Sequence, residues 1–70
     1  MTWASFPYRP IAEQVCTPKE LDVLRMTQSG ASPRQISRIV GIDRRTVRDH
    51  LENAIRKIQA HPDYHEEQTA

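Results

Sequence analysis

Three helix starts in close succession constrain this chain more than any other feature. At Thr17-Pro18-Lys19-Glu20 a threonine stands where its oxygen can accept from the orphan amides of a first helical turn. Proline follows at the first helical position, where a missing N–H costs nothing, and glutamate stands where it can reach back to the cap. Leu21, Val23, Leu24 and Thr27 then line one helical face, and Ser29-Gly30 supplies a stop, glycine being the residue that takes the left-handed turn at a helix end. The spacing predicts a helix over 18–29. Ser32-Pro33-Arg34-Gln35 repeats the device, Ile36, Ile39 and Val40 form an apolar stripe, and Gly41 ends it; a short helix is predicted over 33–40. Asp43 is a third cap, with a charge suited to the positive end of a helix. Val47, Leu51, Ile55 and Ile58 recur at helical spacing beside Ala54, and no glycine or proline intervenes before Pro62. That predicts a helix over 44–60, roughly 25 Å long.

The predicted class is therefore all-α: a three-helix helix-turn-helix domain with an extended aromatic N-terminal arm and a disordered acidic tail. The arm is residues 1–16, the helical domain 17–60 and the tail 61–70. The arm holds Trp3, Phe6 and Tyr8 with Pro7 and Pro10, and no helical or strand period runs through residues 3–10. A turn of helix over 11–16 is compatible with the sequence. Leu, Ile, Val and Phe make up one fifth of the 70 residues, so a fold requires nearly every apolar side chain to be well placed. No apolar run approaches the ~18 residues of a membrane span, and the first residues lack the regions of a signal peptide. The lone Cys16 cannot form an internal disulfide, which suits a reducing, cytoplasmic setting.

The formal net charge of +1 conceals a pattern. Between residues 32 and 60, Arg34, Arg38, Arg44, Arg45, Arg48, Arg56 and Lys57 stand against Asp43, Asp49 and Glu52. The last ten residues carry Asp63, Glu66 and Glu67 and no lysine or arginine. A basic block followed by an acidic end says more about partners than the total does.

Two helices joined by Gly41-Ile42-Asp43 make a helix-turn-helix. Ser37 is small where the helices cross, and Ile36, Val40, Ile42 and Val47 suit the wedge between them. With the apolar stripe of 44–60 turned inward, Arg44, Arg45, Arg48, Asp49 and Glu52 point out. The first turns of such a helix normally meet base edges in the major groove. Arginine can bond guanine O6 and N7 together, and a carboxylate can accept from cytosine N4. These five are the candidate base contacts. Lys19, Arg34, Gln35, Thr46 and Lys57 are candidate phosphate contacts, Arg34 and Gln35 lying at a helix N-terminus that favours an anion.

Beyond this physical reading, residues 17–24 (Thr-Pro-Lys-Glu-Leu-Asp-Val-Leu), Gly30, residues 36–42 (Ile-Ser-Arg-Ile-Val-Gly-Ile), Thr46-Val47-Arg48-Asp49-His50-Leu51 and Arg56-Lys57-Ile58 resemble the LuxR/GerE-type DNA-binding domain over about residues 17–58. The resemblance implies a bacterial or phage transcription regulator that binds DNA through its third helix. It also implies that the position of Arg48 reads the major groove, and that the positions of Asp49 and Glu52, commonly not acidic in the family, help in base readout. The sequence departs from the family in having His61-Pro62-Asp63-Tyr64-His65 where a fourth, dimerising helix is usual. No sensory domain precedes the helices, so a stand-alone regulator is expected. Sigma-factor region 4, invertase-type recombinase DNA domains and phage terminase small subunits carry related patterns.

The expected partner is double-stranded DNA, with a homodimer or a partner transcription protein as a second contact; no membrane and no small-molecule substrate are expected. Trp3, Phe6 and Tyr8 suit packing on a small core, and are also the candidates for docking a partner. In that competing reading the fold is a protein-interaction module. Arg9 beside Pro10 could also enter a minor groove. No cofactor or metal is expected: His61, His65 and a distant Cys16 fall short of a four-ligand site. His50 reads as a packing or phosphate-contacting residue. No nucleophile–base set, carboxylate pair or phosphate loop stands at chemical spacing, so the chain reads as non-enzymatic.

Overall fold

The structure, a computed structural model, describes residues 3–64, and every regular element in them is helical. A 3-10 turn at Trp3–Ser5 precedes α1 (Arg9–Val15), α2 (Pro18–Gln28), α3 (Pro33–Val40) and α4 (Arg44–Gln59). The three predicted helices end within a residue of their expected positions because the caps form as written. Thr17 and Ser32 each close a reciprocal box, with Glu20 N to Thr17 Oγ1 at 3.2 Å and Ser32 N to Gln35 Oε1 at 2.8 Å. Gly30 and Gly41 take φ of 100° and 80°, and the next amide reaches back five residues in each case, Ala31 to Met26 O and Ile42 to Ser37 O.

α4 lies against α1, α2 and α3. Its N-terminal half contributes Val47 to a cluster with Val23 and Ile36. Its C-terminal half contributes Ala54 and Ile58 to a second cluster with Ile11, Ala12 and Leu24. Ala54 is fully buried, so the helices close tightly at that point.

Across the second cluster runs an ion pair. Glu20 is buried at 5% exposure, and its Oε1 accepts from Lys57 Nζ at 2.8 Å and from the Thr17 amide at 3.0 Å. Burial alone would push this carboxyl up. The bonds from Lys57 and Thr17 and the lysine's charge outweigh it and hold Glu20 below the ordinary glutamate range. Nearby, burial and then the Glu20 charge push the Cys16 thiol up, against the opposing pull of Lys57. Cys16 is thus kept as a neutral thiol at the α1–α2 junction.

Several expectations are corrected. The arm is not extended. Trp3–Ser5 turn, and Arg9–Val15 form a helix with Pro10 in its first turn, where proline is tolerated. Trp3, Phe6 and Tyr8 are half-buried against the second cluster, with ring centroids 5.5 Å apart for Trp3–Phe6 and 5.9 Å for Phe6–Tyr8. The area an aromatic ring removes from water accounts for the folding back. Ile39 and Ile55, expected to face inward, are 67% and 42% exposed. Ile39 stands about 60° round the helix from Ile36, on the side away from Val40, so the arc facing α2 and α4 takes Ile36 and Val40 and leaves it out. Ile55 is similarly rotated off the arc of Val47, Ala54 and Ile58. Residues 61–64 form a turn, with His61 N to Ile58 O at 3.1 Å and Tyr64 N to His61 O at 3.0 Å. Tyr64 lies on Tyr8, centroids 5.0 Å apart. The rest of the expected acidic tail, 65–70, lies outside the described residues.

The Glu20–Lys57 pair has a signed pH consequence. A carboxyl whose folded pKa lies below its unfolded value contributes stability above the unfolded value, and that contribution is lost as pH falls through the folded one. Wild type should therefore lose stability as pH drops below the ordinary glutamate value of 4.5, and Glu20→Gln should show a smaller loss there in urea melts followed by circular dichroism. At neutral pH Glu20→Ala should cost about 1–2 kcal/mol, the half-exposed lysine end being screened by solvent.

Candidate nucleic-acid interface

The turn between α3 and α4 determines where the charged residues go. Gly41 leaves α3 in the left-handed conformation, with its amide on Ser37 O at 2.9 Å. Asp43 then caps α4, Oδ2 accepting from Arg45 N at 3.3 Å. Four residues after Asp43, Val47, 1% exposed, enters the wedge with Ile36 and Val23. Once Val47 points in, Arg44, Arg45, Arg48, Asp49 and Glu52 must point out, and all five are exposed.

These five residues line one concave surface, of about 930 Å³, with Ser32, Pro33, Arg34 and Asp43. The N-terminal ends of α3 and α4 both open onto it, so two sets of partial positive charge add to four guanidinium groups. Among the described residues, the ion pairs are Arg9–Glu13 at 3.9 Å, Arg25–Asp22 at 3.7 Å and Lys57–Glu20 at 2.8 Å. None involves Arg34, Arg44, Arg45 or Arg48. Two arginines in the first turn of α4 oppose the helix dipole, and among the described residues no ion pair offsets them. A surface of this kind can take phosphate oxygens at its edge and base acceptors at its centre.

The structure brings together Arg34, Arg44, Arg45, Arg48, Asp49 and Glu52 and leaves the other candidates outside this hollow. Thr46 is half-buried and Lys19 is exposed on α2. Gln35's amide oxygen accepts from the Ser32 amide at the α3 cap. Lys57 is bound to Glu20, a partnership across 37 residues that no local spacing announces. His50 is half-buried. Trp3, Phe6 and Tyr8 lie against the core, and Phe6 and Tyr8 border a separate hollow with Leu51, Ile55 and Tyr64.

A helix-turn-helix with an outward basic helix is an architecture of DNA-binding proteins. The family described as bacterial regulatory proteins, luxR family, matches residues 14–65; the chain belongs to it. The chain is also similar to the transcriptional activator protein CarR of Pectobacterium carotovorum subsp. carotovorum, 40% identical over 42 residues. That match covers 60% of this chain and 17% of the relative, so the chain corresponds to a small part of that protein. No solved structure matches the chain. No helix of the described residues is long and apolar enough to cross a membrane.

The turn geometry is testable directly. A Cβ at Gly41 would meet nothing within 4 Å, so any penalty there is conformational. Gly41→Val should cost about 1–2 kcal/mol, and Gly41→Asn distinctly less, since asparagine tolerates the left-handed region. Thermal melts of the two variants measure the difference.

Proposed function

We propose that this chain regulates transcription by binding double-stranded DNA, with α4 in the major groove and the α3 N-terminus on the adjoining backbone. The observation that carries the reading is the set of four arginines, without an ion pair among the described residues, converging on one hollow between two helix N-termini. Family membership supports it. Arg44, Arg45 and Arg48 are assigned to base edges, where guanine offers two acceptors to one guanidinium. Arg34, with the free α3 amides, is assigned to phosphate; Gln35, Thr46 and Lys19, outside the hollow, are assigned to the backbone as further contacts. Lys57 is half-exposed and has three donors, so it can hold Glu20 with one and contact a phosphate with another.

A single module of this kind covers a small area of DNA, roughly 600–1,000 Å², and site selection is served by a second contact. A second copy or a partner transcription protein would find its surface at the hollow bordered by Phe6, Tyr8, Ile55 and Tyr64, where Ile55 is 42% exposed. The same surface would serve the competing reading, a module that docks on another protein without touching DNA.

Salt and mutation separate the two readings. Fluorescence anisotropy with random duplex DNA should show binding that weakens with a slope of roughly −0.9 per neutralised phosphate. Arg44→Ala/Arg45→Ala/Arg48→Ala should abolish it while the helical spectrum persists. Arg34→Ala should weaken binding to all sequences alike and reduce the slope by about one phosphate. No binding at low salt by a folded chain would leave the protein-docking reading in its place.

A further inference from the structure

Asp49 and Glu52 are the residues of the α4 face that simple attraction to DNA does not account for. Both are exposed, and both line the arginine hollow. Each stands four residues after an arginine, Asp49 after Arg45 and Glu52 after Arg48, the spacing at which helix surface pairs form. Yet among the described residues no ion pair joins them to those arginines. The order is also the poorer one for a helix, since acid before base stabilises more than base before acid. Helix stability therefore does not explain the arrangement, and a carboxylate near phosphates weakens non-specific binding.

Arg45, Arg48, Asp49 and Glu52 fall within an arc of about 100° and span roughly 10 Å along the axis, the rise of about three base pairs. In the major groove, the carboxylates' half of this stripe meets either base-edge donors or nothing. Of the four bases, cytosine offers its N4 amino group as the only polar handle there, whereas guanine offers acceptors alone. Adenine's amino group is flanked by the N7 acceptor, which repels a carboxylate.

Resting on the DNA-binding reading above, we infer that Asp49 and Glu52 determine specificity by a two-sided device. They select cytosine next to the arginine-read guanines, and they penalise DNA that lacks it. On a wrong site the carboxylates lie beside phosphates with no donor; on the right site each accepts a hydrogen bond from N4. The device trades total affinity for discrimination, which suits a chain with few base contacts.

The test is site selection from a randomised duplex pool by the 70-residue chain, Asp49→Asn and Glu52→Gln, with affinity for random duplex measured in parallel. Wild type should enrich cytosine at one or two positions flanking guanine. Asparagine and glutamine pair with adenine N6 and N7, so each variant should shift one of those positions from cytosine to adenine. Each should also bind random DNA about two- to fivefold more tightly, through the lost repulsion. Replacing the selected cytosine by N4-methylcytosine keeps the base pair but fills the groove-side donor with a methyl group, and should weaken wild-type binding about tenfold or more. Unchanged preferences in the variants, or tolerance of the methyl group, would overturn the inference and leave DNA binding intact. Absence of DNA binding by all three proteins would remove both readings together.

Discussion

The packing of α2 against α4 is the constraint on which the rest of the structure depends. Val23 and Leu24 are adjacent in α2, yet they enter different clusters, Val23 with Val47 and Leu24 with Ala54 and Ile58. One short helix thus grips both halves of a long one. The first grip fixes the rotation of α4 about its own axis and so turns its arginines outward. The second fixes its far end. Because both grips come from one helix, a change that tilts α2 moves the whole face that α4 presents. α3 then needs only to seat Ile36 in the first cluster. Its eight residues could not do more, since so short a helix has little stability of its own and depends on tertiary packing.

The Glu20–Lys57 pair extends that grip beyond the apolar clusters. Glu20 belongs to the α2 cap and Lys57 to the last turns of α4, so the pair fastens the start of one helix to the end of the other. The lysine also sits where a cation complements the α4 dipole. A buried carboxylate is costly when unpaired. Here it carries the capping bond and the ion pair on the same oxygen, so its desolvation is offset by two charge-assisted contacts. An isoleucine or leucine in its place would regain burial but lose the cap. This is a physical reason for a charge in a core that has few residues to spare.

Much of the domain was legible because its information is local. A cap, a proline and a glycine act within four residues, so the limits of α2, α3 and α4 follow from reading along the chain. The outward face of α4 was legible too, since one inward valine fixes its neighbours by helical geometry. The long-range features were not. The Lys57–Glu20 pair was not legible, because its partners lie 37 residues apart. Of α1 only a turn over 11–16 was legible, because Tyr8, at its cap, makes no side-chain capping bond, which removes the usual start signal; Pro10 in the first turn was the remaining hint. Ile39 and Ile55 misled because a period identifies an apolar arc but not how wide a neighbour is. α3 packs mainly on α2 and α4, and the arc they cover stops short of Ile39.

The aromatic arm illustrates how a domain this small closes. Ile11 and Ala12 are buried where α1 turns back onto α4, and beside them Trp3 stacks on Phe6 while Phe6 meets Tyr8 edge to face. Tyr64 then meets Tyr8 from the other end of the described chain. The two ends are thereby brought onto one another across α2 and α4, covering the second cluster from outside. Closure from both ends spares the outer face of α4's first turns from any structural duty. Four arginines can therefore stand there without an ion pair among the described residues and without exposing the core, and the residues between them are free to be chosen for what they would meet on DNA. The separation of a closed apolar side from an open charged side is what allows carboxylates to stand among the arginines at all.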